Sequence, residues 1–456
     1  MMKVNWIVIN ILPIFGFFLA MTLLVHQNRA QRSPASTVAW LLAILLVPYL
    51  GVPAYVIFGG RKIRRMIKNK AILGSDATAR GEGFIVQGIG SIFPPRVGNE
   101  ISLIGEGEKA YAALIDLIEH AQKSIDITTF ILGNDTTGAS VLAALTRKAE
   151  QGVAVRLLLD ALGSIRVSKK MLDPFLAAGG RCAFFMPMMH LPFRGRANLR
   201  NHRKMIIVDN ATAIIGGMNI AREYMRAAAD TRTWHDLSLI VKGPVLADMH
   251  RVFRADWQFA VGTDPEKEVS PAPCQAGDTV RLQLVPSGPD VAGDPVYDSI
   301  LSALFKAQHR VWIVTPYFIP DELVLKAICI AARRGVDVRI VVPRVSNHML
   351  ADLVRRSFLR QVQESGATIC NFMPGMMHAK IILVDGTLCV AGSMNMDMRS
   401  FFLNFEIALF IYDEIMVKEM DGWVMGLLRH SIQGIKKSNL FLEFIEGIAR
   451  LLAPLL

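Results

Sequence analysis

The chain has 456 residues, enough for two or three domains of ordinary size, and is 52% hydrophobic with a mean hydropathy of +0.36, high for a purely soluble protein. Its net charge of +11 suggests a nucleic-acid binder until it is divided: the first 70 residues hold nine Lys and Arg and no acid, leaving +2 for the remaining 386. A domain built to hold nucleic acid carries a basic excess of its own, so no nucleic-acid partner is expected.

The charge-free run VNWIVINILPIFGFFLAMTLLV at 4–25 comes first, and TVAWLLAILLVPYLGVPAYVIFGG at 37–60 follows. Each is long enough to cross a hydrocarbon core of roughly 30 Å as a helix, which predicts a two-helix transmembrane hairpin. A cleaved signal peptide would account for the first run but not the second. RKIRRMIKNK, with Arg61, Lys62, Arg64, Arg65, Lys68 and Lys70, follows the second span, whereas the intervening loop has only Arg29 and Arg32. The bias of basic residues toward the cytoplasm orients both ends, and everything after residue 60, to that side. The same cluster suits anionic membrane lipids. The expected organisation is a hairpin with its basic segment (1–70), a connecting segment (71–105), a first half (106–262), a linker (263–280) and a second half (281–456).

The halves repeat one another. AQKSIDITTFIL at 121–132 has a counterpart in AQHRVWIVTPYFI at 307–319, and QGVAVRLLLD at 151–160 in RGVDVRIVVP at 334–343. Each half reads as a helix (Tyr111–Gln122, Val296–Gln308), an apolar strand, a helix closed by Gly152 or Gly335, and a second apolar strand. This predicts an α/β domain whose sheet is covered on both faces, with two halves packed face to face about a pseudo-twofold axis. The polar, Pro-rich TDPEKEVSPAPCQAGD reads as the linker. The five cysteines are scattered, without C-x-x-C spacing, and indicate neither a disulfide framework nor a zinc site.

The repeat extends to chemistry. HRKMIIVDNATAIIGGMN supplies His202, Lys204, Asp209, Gly216, Gly217 and Asn219; HAKIILVDGTLCVAGSMN supplies His378, Lys380, Asp385, Gly392, Ser393 and Asn395. His and Lys two apart on a strand share a face. Asp-Asn and Asp-Gly signal a hairpin turn, and small residues in the returning strand let the asparagine come back beside the His and Lys. Two such hairpins meeting at one interface give neutral-pH acid/base groups ringed by donors for anionic oxygens, which suits an attacked phosphodiester. Asp209 and Asp385, at the turns, read better as structural.

The paired H-x-K-x4-D motif resembles the phospholipase D superfamily. STVAWLLAILLVPYLGVPAYVIFGG, NLRNHRKMIIVDN, IIGGMNIAREY, VPSGPD (285–290), TPYFIPDE (315–322) and DMRSFFLNFE (397–406) make the resemblance closer to bacterial cardiolipin synthases. Two departures stand out: Gly217 occupies a position where serine is usual in the superfamily, and His235 one where arginine is expected, so His235 is assigned no role. The resemblance implies metal-free, cofactor-free phosphatidyl transfer between two phosphatidylglycerol molecules at the bacterial inner membrane. One histidine attacks phosphorus and the other serves the leaving and incoming oxygens. The family pattern favours His202 as nucleophile, but the residues themselves do not distinguish the two. It further implies that Lys204, Lys380, Asn219, Asn395 and the Ser393 hydroxyl hold phosphate oxygens, that Asp209 and Asp385 complete the catalytic motif, and that Asp236 and Glu406 orient the imidazoles. FFMPMMHLPF (184–193) and NFMPGMM (371–377) are candidates for an apolar pocket wall, and residues 440–456 are expected to pack on the domain, with contact to the membrane as the alternative. A hydrolytic phospholipase D using water, a nuclease and a non-catalytic membrane scaffold are the rival readings; neither oligomeric state nor use of phosphatidylethanolamine is legible.

Overall fold

The computed structural model describes residues 14–18, 34–58, 93–186, 199–226, 233–262, 280–291, 293–435 and 440–450. The chain divides into two compact units, one made of residues 1–65 and 187–199 and the other of 66–186 and 200–456.

In the N-terminal unit the second apolar run does not form the expected continuous span. It makes two helices, α1 (Pro34–Leu46) and α2 (Pro48–Phe58), and these fold back on each other, with the Trp40 and Tyr55 rings 5.3 Å apart edge to face and Ile44 and Val52 buried together. Pro48 has no N–H to continue the helix. Gly51 allows the close return, because a Cβ there would lie 2.2 Å from the Ala43 carbonyl oxygen. Among the described residues no helix is long and apolar enough to cross a membrane; at 13 residues α1 reaches only about 20 Å. Most of the first expected span lies outside the described residues.

The larger unit is built on one sheet. Its first half contributes β1 (Arg96–Ile104), β2 (Ser124–Thr129), β3 (Ala154–Asp160), β4 (Arg181–Phe185), β5 (Met205–Val208), β6 (Thr212–Gly216) and β7 (Ser238–Lys242). The second contributes β8 (Val280–Ser287), β9 (Arg310–Val314), β11 (Asp337–Pro343), β12 (Thr368–Phe372), β13 (Ile381–Val384), β14 (Leu388–Gly392), β16 (Glu406–Ile411) and β17 (Ser431–Gln433), while β10 (Phe318–Ile319) and β15 (Met396–Asp397) pair separately. The order is β17-β12-β11-β9-β13-β14-β16-β8-β1-β7-β6-β5-β2-β3-β4. Read outward from the β8–β1 seam, the two sides repeat strand for strand, with β17 as an added edge. The repeated halves are therefore joined edge to edge through antiparallel β1 and β8, rather than packed face to face. The hydrogen-bonding edge of each half is satisfied by its copy, which removes two exposed strand edges. β1 lies within the segment 71–105 expected only to connect; it pairs with β7 on one side and β8 on the other. The linker stretch 263–279 lies outside the described residues.

Helices cover both faces. α3 (Gly107–His120), α4 (Thr136–Glu150) and α5 (Lys169–Ala177) bury Leu114, Val141 and Phe175 on the first half's core, and α7 (Pro295–Lys306), α8 (Glu322–Arg333) and α9 (Met349–Glu364) bury Ile300, Ile328 and Val354 on the second's. α6 (Val245–Val261) and α11 (Glu414–Arg429) contact strands from both sides of the seam. α4 and α8 close at Gly152 and Gly335, with φ of 84° and 85°, left-handed positions that glycine adopts without steric cost. The short α10 (Met398–Phe402) starts on an Asp397 cap. α12 (Leu440–Arg450) is fixed to α9 by Glu446, which accepts from Arg360 at 2.5 Å; residues 451–456 lie outside the described residues.

Candidate active site

Both hairpins fold as their sequences predict. Asp209 and Asn210 have φ of 52° and 53°, Asp385 and Gly386 of 53° and 78°, the paired left-handed residues of a type I′ turn. β5 then pairs with β6, and β13 with β14, in equivalent registers. The turns lie at one end of these strands and the histidines at the other, separated by roughly 13 Å of strand at 3.3 Å per residue.

At the histidine end the two halves interlock. His202 N–H donates to the Phe405 carbonyl at 2.9 Å, and Phe405 N–H to the Arg200 carbonyl at 2.8 Å; in the copy, His378 N–H donates to the His235 carbonyl at 2.6 Å and His235 N–H to the Met376 carbonyl at 2.8 Å. His235 therefore contributes its backbone to one latch, in the place Phe405 takes in the other, and its ring packs on Phe372. The latches carry carboxylates with them. Glu406 of the second half lies 3.0 Å, by both oxygens, from His202 Nδ1. Asp236 of the first half lies 2.7 Å from His378 Nδ1. Each imidazole is thus oriented through Nδ1 by an acid from the opposite half, and His378 Nε2 has Lys380 Nζ 3.2 Å away.

Burial and charge set the protonation states. Burial, reinforced for His378 by Lys380, pushes that imidazole down to about 3; His202 is lowered as well, by burial and then the two lysines against the opposing pull of Glu406. For Asp236, burial acts upward but Lys380 and His378 beside it win, so the carboxyl lies below its ordinary range. Glu406 is likewise held down, against burial, by His202, Lys204 and the Ser393 hydroxyl. The resting site thus contains neutral imidazoles donating Nδ1–H to ionised carboxylates. Burial also brings Lys204 down to about 7 and Lys380 to about 8. Lys204 Nζ donates to the His202 carbonyl at 2.8 Å, and Lys380 Nζ to the His378 carbonyl while lying 2.7 Å from His378 Nδ1.

The halves differ in detail. The Ser393 hydroxyl, expected to bind phosphate, is fully buried and donates to Glu406 at 2.5 Å, which makes it a support for His202's partner. The first half has no room for that arrangement: a Cβ on Gly217 would lie 2.2 Å from Asp236 Oδ1. Asn219 Oδ1 accepts from Ile131 N–H at 3.1 Å, whereas Asn395 Oδ1 is buried with no hydrogen-bond partner. Phe130 packs against His202 at 5.1 Å, and Tyr224 and Trp234 against His378 at 5.0 and 5.3 Å. Of the two apolar stretches, Phe372 and Met377 are buried, while 187–193 lies outside the described residues.

Asp209 and Asp385 do not join this site. Asp209 accepts backbone N–H groups of Gln122, Lys123 and Ser124 at 2.8, 2.6 and 2.9 Å. Asp385 accepts those of Gln308, His309 and Arg310 at 2.9, 2.8 and 3.0 Å. Each clamps the start of the neighbouring strand, the structural role that their place at the turns suggests, and neither joins the catalytic group that the family resemblance implies. Asp209→Asn should lower unfolding stability by about 1–2 kcal/mol in denaturant titrations and leave turnover of the folded enzyme within about threefold.

Arg203 escaped sequence reasoning. It is fully buried, donating to Asp256 at 2.7 Å, to the Glu406 carbonyl at 3.0 Å and to the Ser287 carbonyl at 3.2 Å, with Asp290 Oδ1 at 3.3 Å. It ties the first motif to the strand that carries Glu406, and gives VPSGPD its structural use. The contrast of HRK with HAK, which puts Ala379 at the equivalent place, was the available signal.

Comparison with known proteins agrees with this geometry. A family model described as cardiolipin synthase, PLD-like domain matches residues 114–257 and 300–427, and a phospholipase D-nuclease N-terminal model matches 20–60. A cardiolipin synthase of Clostridium perfringens (strain 13 / Type A) is 31% identical, covering 93% of this chain and 95% of its own. One from Listeria monocytogenes serotype 4a is 32% identical, covering 99% of each chain. The fold is similar to that of phosphatidylserine synthase from Haemophilus influenzae, with a TM-score of 0.61 and 16% identity over 78% of this chain and 94% of that one. A repeated α/β scaffold, paired H-x-K motifs at its seam and near full-length relatives leave one assignment: this chain belongs to the cardiolipin synthase family of the phospholipase D superfamily.

Proposed function

We propose that the protein makes cardiolipin by phosphatidyl transfer between two phosphatidylglycerol molecules, and that the crossed carboxylate–histidine pairs are its catalytic machinery. The observation that carries this reading is that each half's imidazole is oriented by the other half's acid, at 3.0 and 2.7 Å. Two neutral imidazoles are thereby presented to one buried spot between two lysines.

In the first step His202 Nε2 attacks phosphorus, a P–N bond forms, and the P–O bond to the glycerol headgroup breaks as His378 delivers a proton to the departing oxygen. In the second, the terminal hydroxyl of another phosphatidylglycerol gives its proton to His378 and displaces the imidazole, breaking P–N and forming the new P–O bond. A bound phosphodiester anion counters the field of Lys204 and Lys380, so it raises the imidazole pKa values from their resting level and lets His378 carry a proton. The lysines face the nonbridging oxygens as charge builds; Asn395 joins them by turning its NH₂ toward the phosphate, since the side now without a partner is the acceptor Oδ1. His202 is assigned as nucleophile on the family pattern. The catalytic halves are 106–262 and 281–456. The N-terminal apolar segments hold the enzyme at the bacterial inner membrane, with the catalytic unit on the cytoplasmic side as the basic run at 61–70 favours.

The test is mass spectrometry of the lipids formed in phosphatidylglycerol vesicles, with enzyme quenched in denaturant at neutral to mildly alkaline pH searched for phosphatidyl-imidazole at His202. Cardiolipin and glycerol in equal amounts are expected. Phosphatidic acid as the main product would show that water is the acceptor and replace this reading with a hydrolase.

A further inference from the structure

The loops that leave the two equivalent strands β3 and β11 each carry apolar side chains into solvent beside the site. After β3, Leu162 and Ile165 are exposed, Ile165 by 63%; after β11, Val345 of the loop and Met349 and Leu350 of the first turn of α9 are exposed, Met349 by 88%. Scattered exposed apolar residues are ordinary, but here they occur at matching places in both copies, on segments anchored next to residues of the site. The loops are held in place. Ser164 Oγ donates to the Phe130 carbonyl and accepts from Leu132 N–H, both at 3.0 Å, and Phe130 is the ring on His202. On the other side Tyr317, adjacent to the β10–β15 pair beside Asn395, donates to Asn347 Oδ1 at 2.5 Å. Arg355 ties down the Pro343 and Arg344 carbonyls at 2.7 and 3.1 Å. These apolar side chains are therefore presented by braced loops.

The exposed charge within the two stretches has one sign. Residues 161–170 include exposed Arg166, Lys169 and Lys170, and 344–350 includes exposed Arg344, with no acid in either stretch. Of the acids that adjoin the two stretches, Asp160 is buried and accepts from Leu162 and Gly163 N–H, Asp352 is engaged by Ser346 N–H at 2.8 Å and by Arg355 at 2.9 Å, and Asp173 is exposed one turn into α5. Apolar tips set among cations match the interface of an anionic bilayer, where the tips enter the acyl boundary and the cations meet phosphates.

We propose that loops 161–166 and 344–350 form a two-sided docking rim that seats the mouth of the active site on an anionic phospholipid surface. The rim lets a lipid headgroup reach the histidines while its acyl chains stay in the bilayer. This rests on the reading of the site as phospholipid-directed, and the experiment separates the two. Full-length protein carrying Ile165→Cys, Met349→Cys or Ile415→Cys is labelled with an environment-sensitive dye, with the labelled parent as background, and reconstituted with bromine-quencher lipids. Ile415, 80% exposed, follows β16 after that strand has run away from Glu406 and serves as control.

Labels at 165 and 349 should be quenched in vesicles containing phosphatidylglycerol, at least twofold less in pure phosphatidylcholine, and the label at 415 in neither. Equal quenching at all three positions would overturn the proposal, as would protein-concentration-dependent shielding in detergent alone, which would assign the rim to a second copy. An Ile165→Asp/Met349→Asp variant should turn over vesicle phosphatidylglycerol at least tenfold more slowly while acting normally on monomeric dihexanoyl phosphatidylglycerol; equal loss on both substrates would count against docking. If the parent shows no transfer on any lipid but the quenching pattern appears, the proposed reaction fails and the rim stands.

Discussion

Replacing either His202 or His378 with alanine should lower transfer by more than about 10³-fold, and replacing both should do little further harm. The reason lies in the division of labour in the proposed mechanism: with the nucleophile gone no covalent bond to phosphorus forms, and with the proton donor gone the headgroup oxygen departs as a poor, strongly basic leaving group. Both side chains are partners of buried carboxylates, at 12% and 6% side-chain exposure, so alanine leaves an unpaired acid and costs stability as well. His202→Gln and His378→Gln keep a donor toward Glu406 and Asp236 and separate the two effects: they should restore most of the thermal midpoint without restoring turnover. Steady-state rates on phosphatidylglycerol vesicles together with thermal unfolding of the same preparations make the measurement. Turnover within tenfold of the parent in either glutamine variant would refute the shared site.

The crossed acids should be the next most sensitive positions. Asp236→Asn and Glu406→Gln preserve shape and remove charge. An amide can present its NH₂ to Nδ1 and drive the ring into the tautomer that protonates Nε2, the nitrogen that must attack or accept. A loss of about 10²–10⁴-fold in kcat is expected, with KM changed far less, because the acids hold the rings and touch no substrate. The two variants should differ. Glu406 also accepts from Ser393 and from Asn404 Nδ2 at 3.2 Å, and these donors lose a charged acceptor when it becomes an amide. Asp236 has a backbone N–H, Leu237, at 2.7 Å. Glu406→Gln should accordingly lower the thermal midpoint more than Asp236→Asn. A change confined to KM would indicate substrate contact in place of positioning.

Much of this was legible because the motif is local and written twice. The 3.6 and 2 residue periods, Gly152 and Gly335, and the Asp-Asn and Asp-Gly turns each report the conformation of a few neighbouring residues, and those elements appear where the patterns put them. What escaped is non-local. That β1 would be drawn out of an apparent connector to close a seam depends on pairing with residues about 140 and 180 positions away, which no window of sequence contains. The apolar run 37–60 satisfied a length criterion, yet Pro48 and Gly51 turned it back on itself. Ser393 and Arg203 could be recognised as polar but not as supports for Glu406, since their partners come from distant segments.

The exchange of acids across the seam has a consequence for how the enzyme fails. Neither half owns both members of a carboxylate–histidine pair, so on the proposed mechanism any loosening between them disorients the nucleophile and the proton carrier in the same event. On the proposed reaction, a molecule damaged in this way falls silent: it does not go on splitting phosphatidylglycerol to phosphatidic acid while unable to rejoin the pieces.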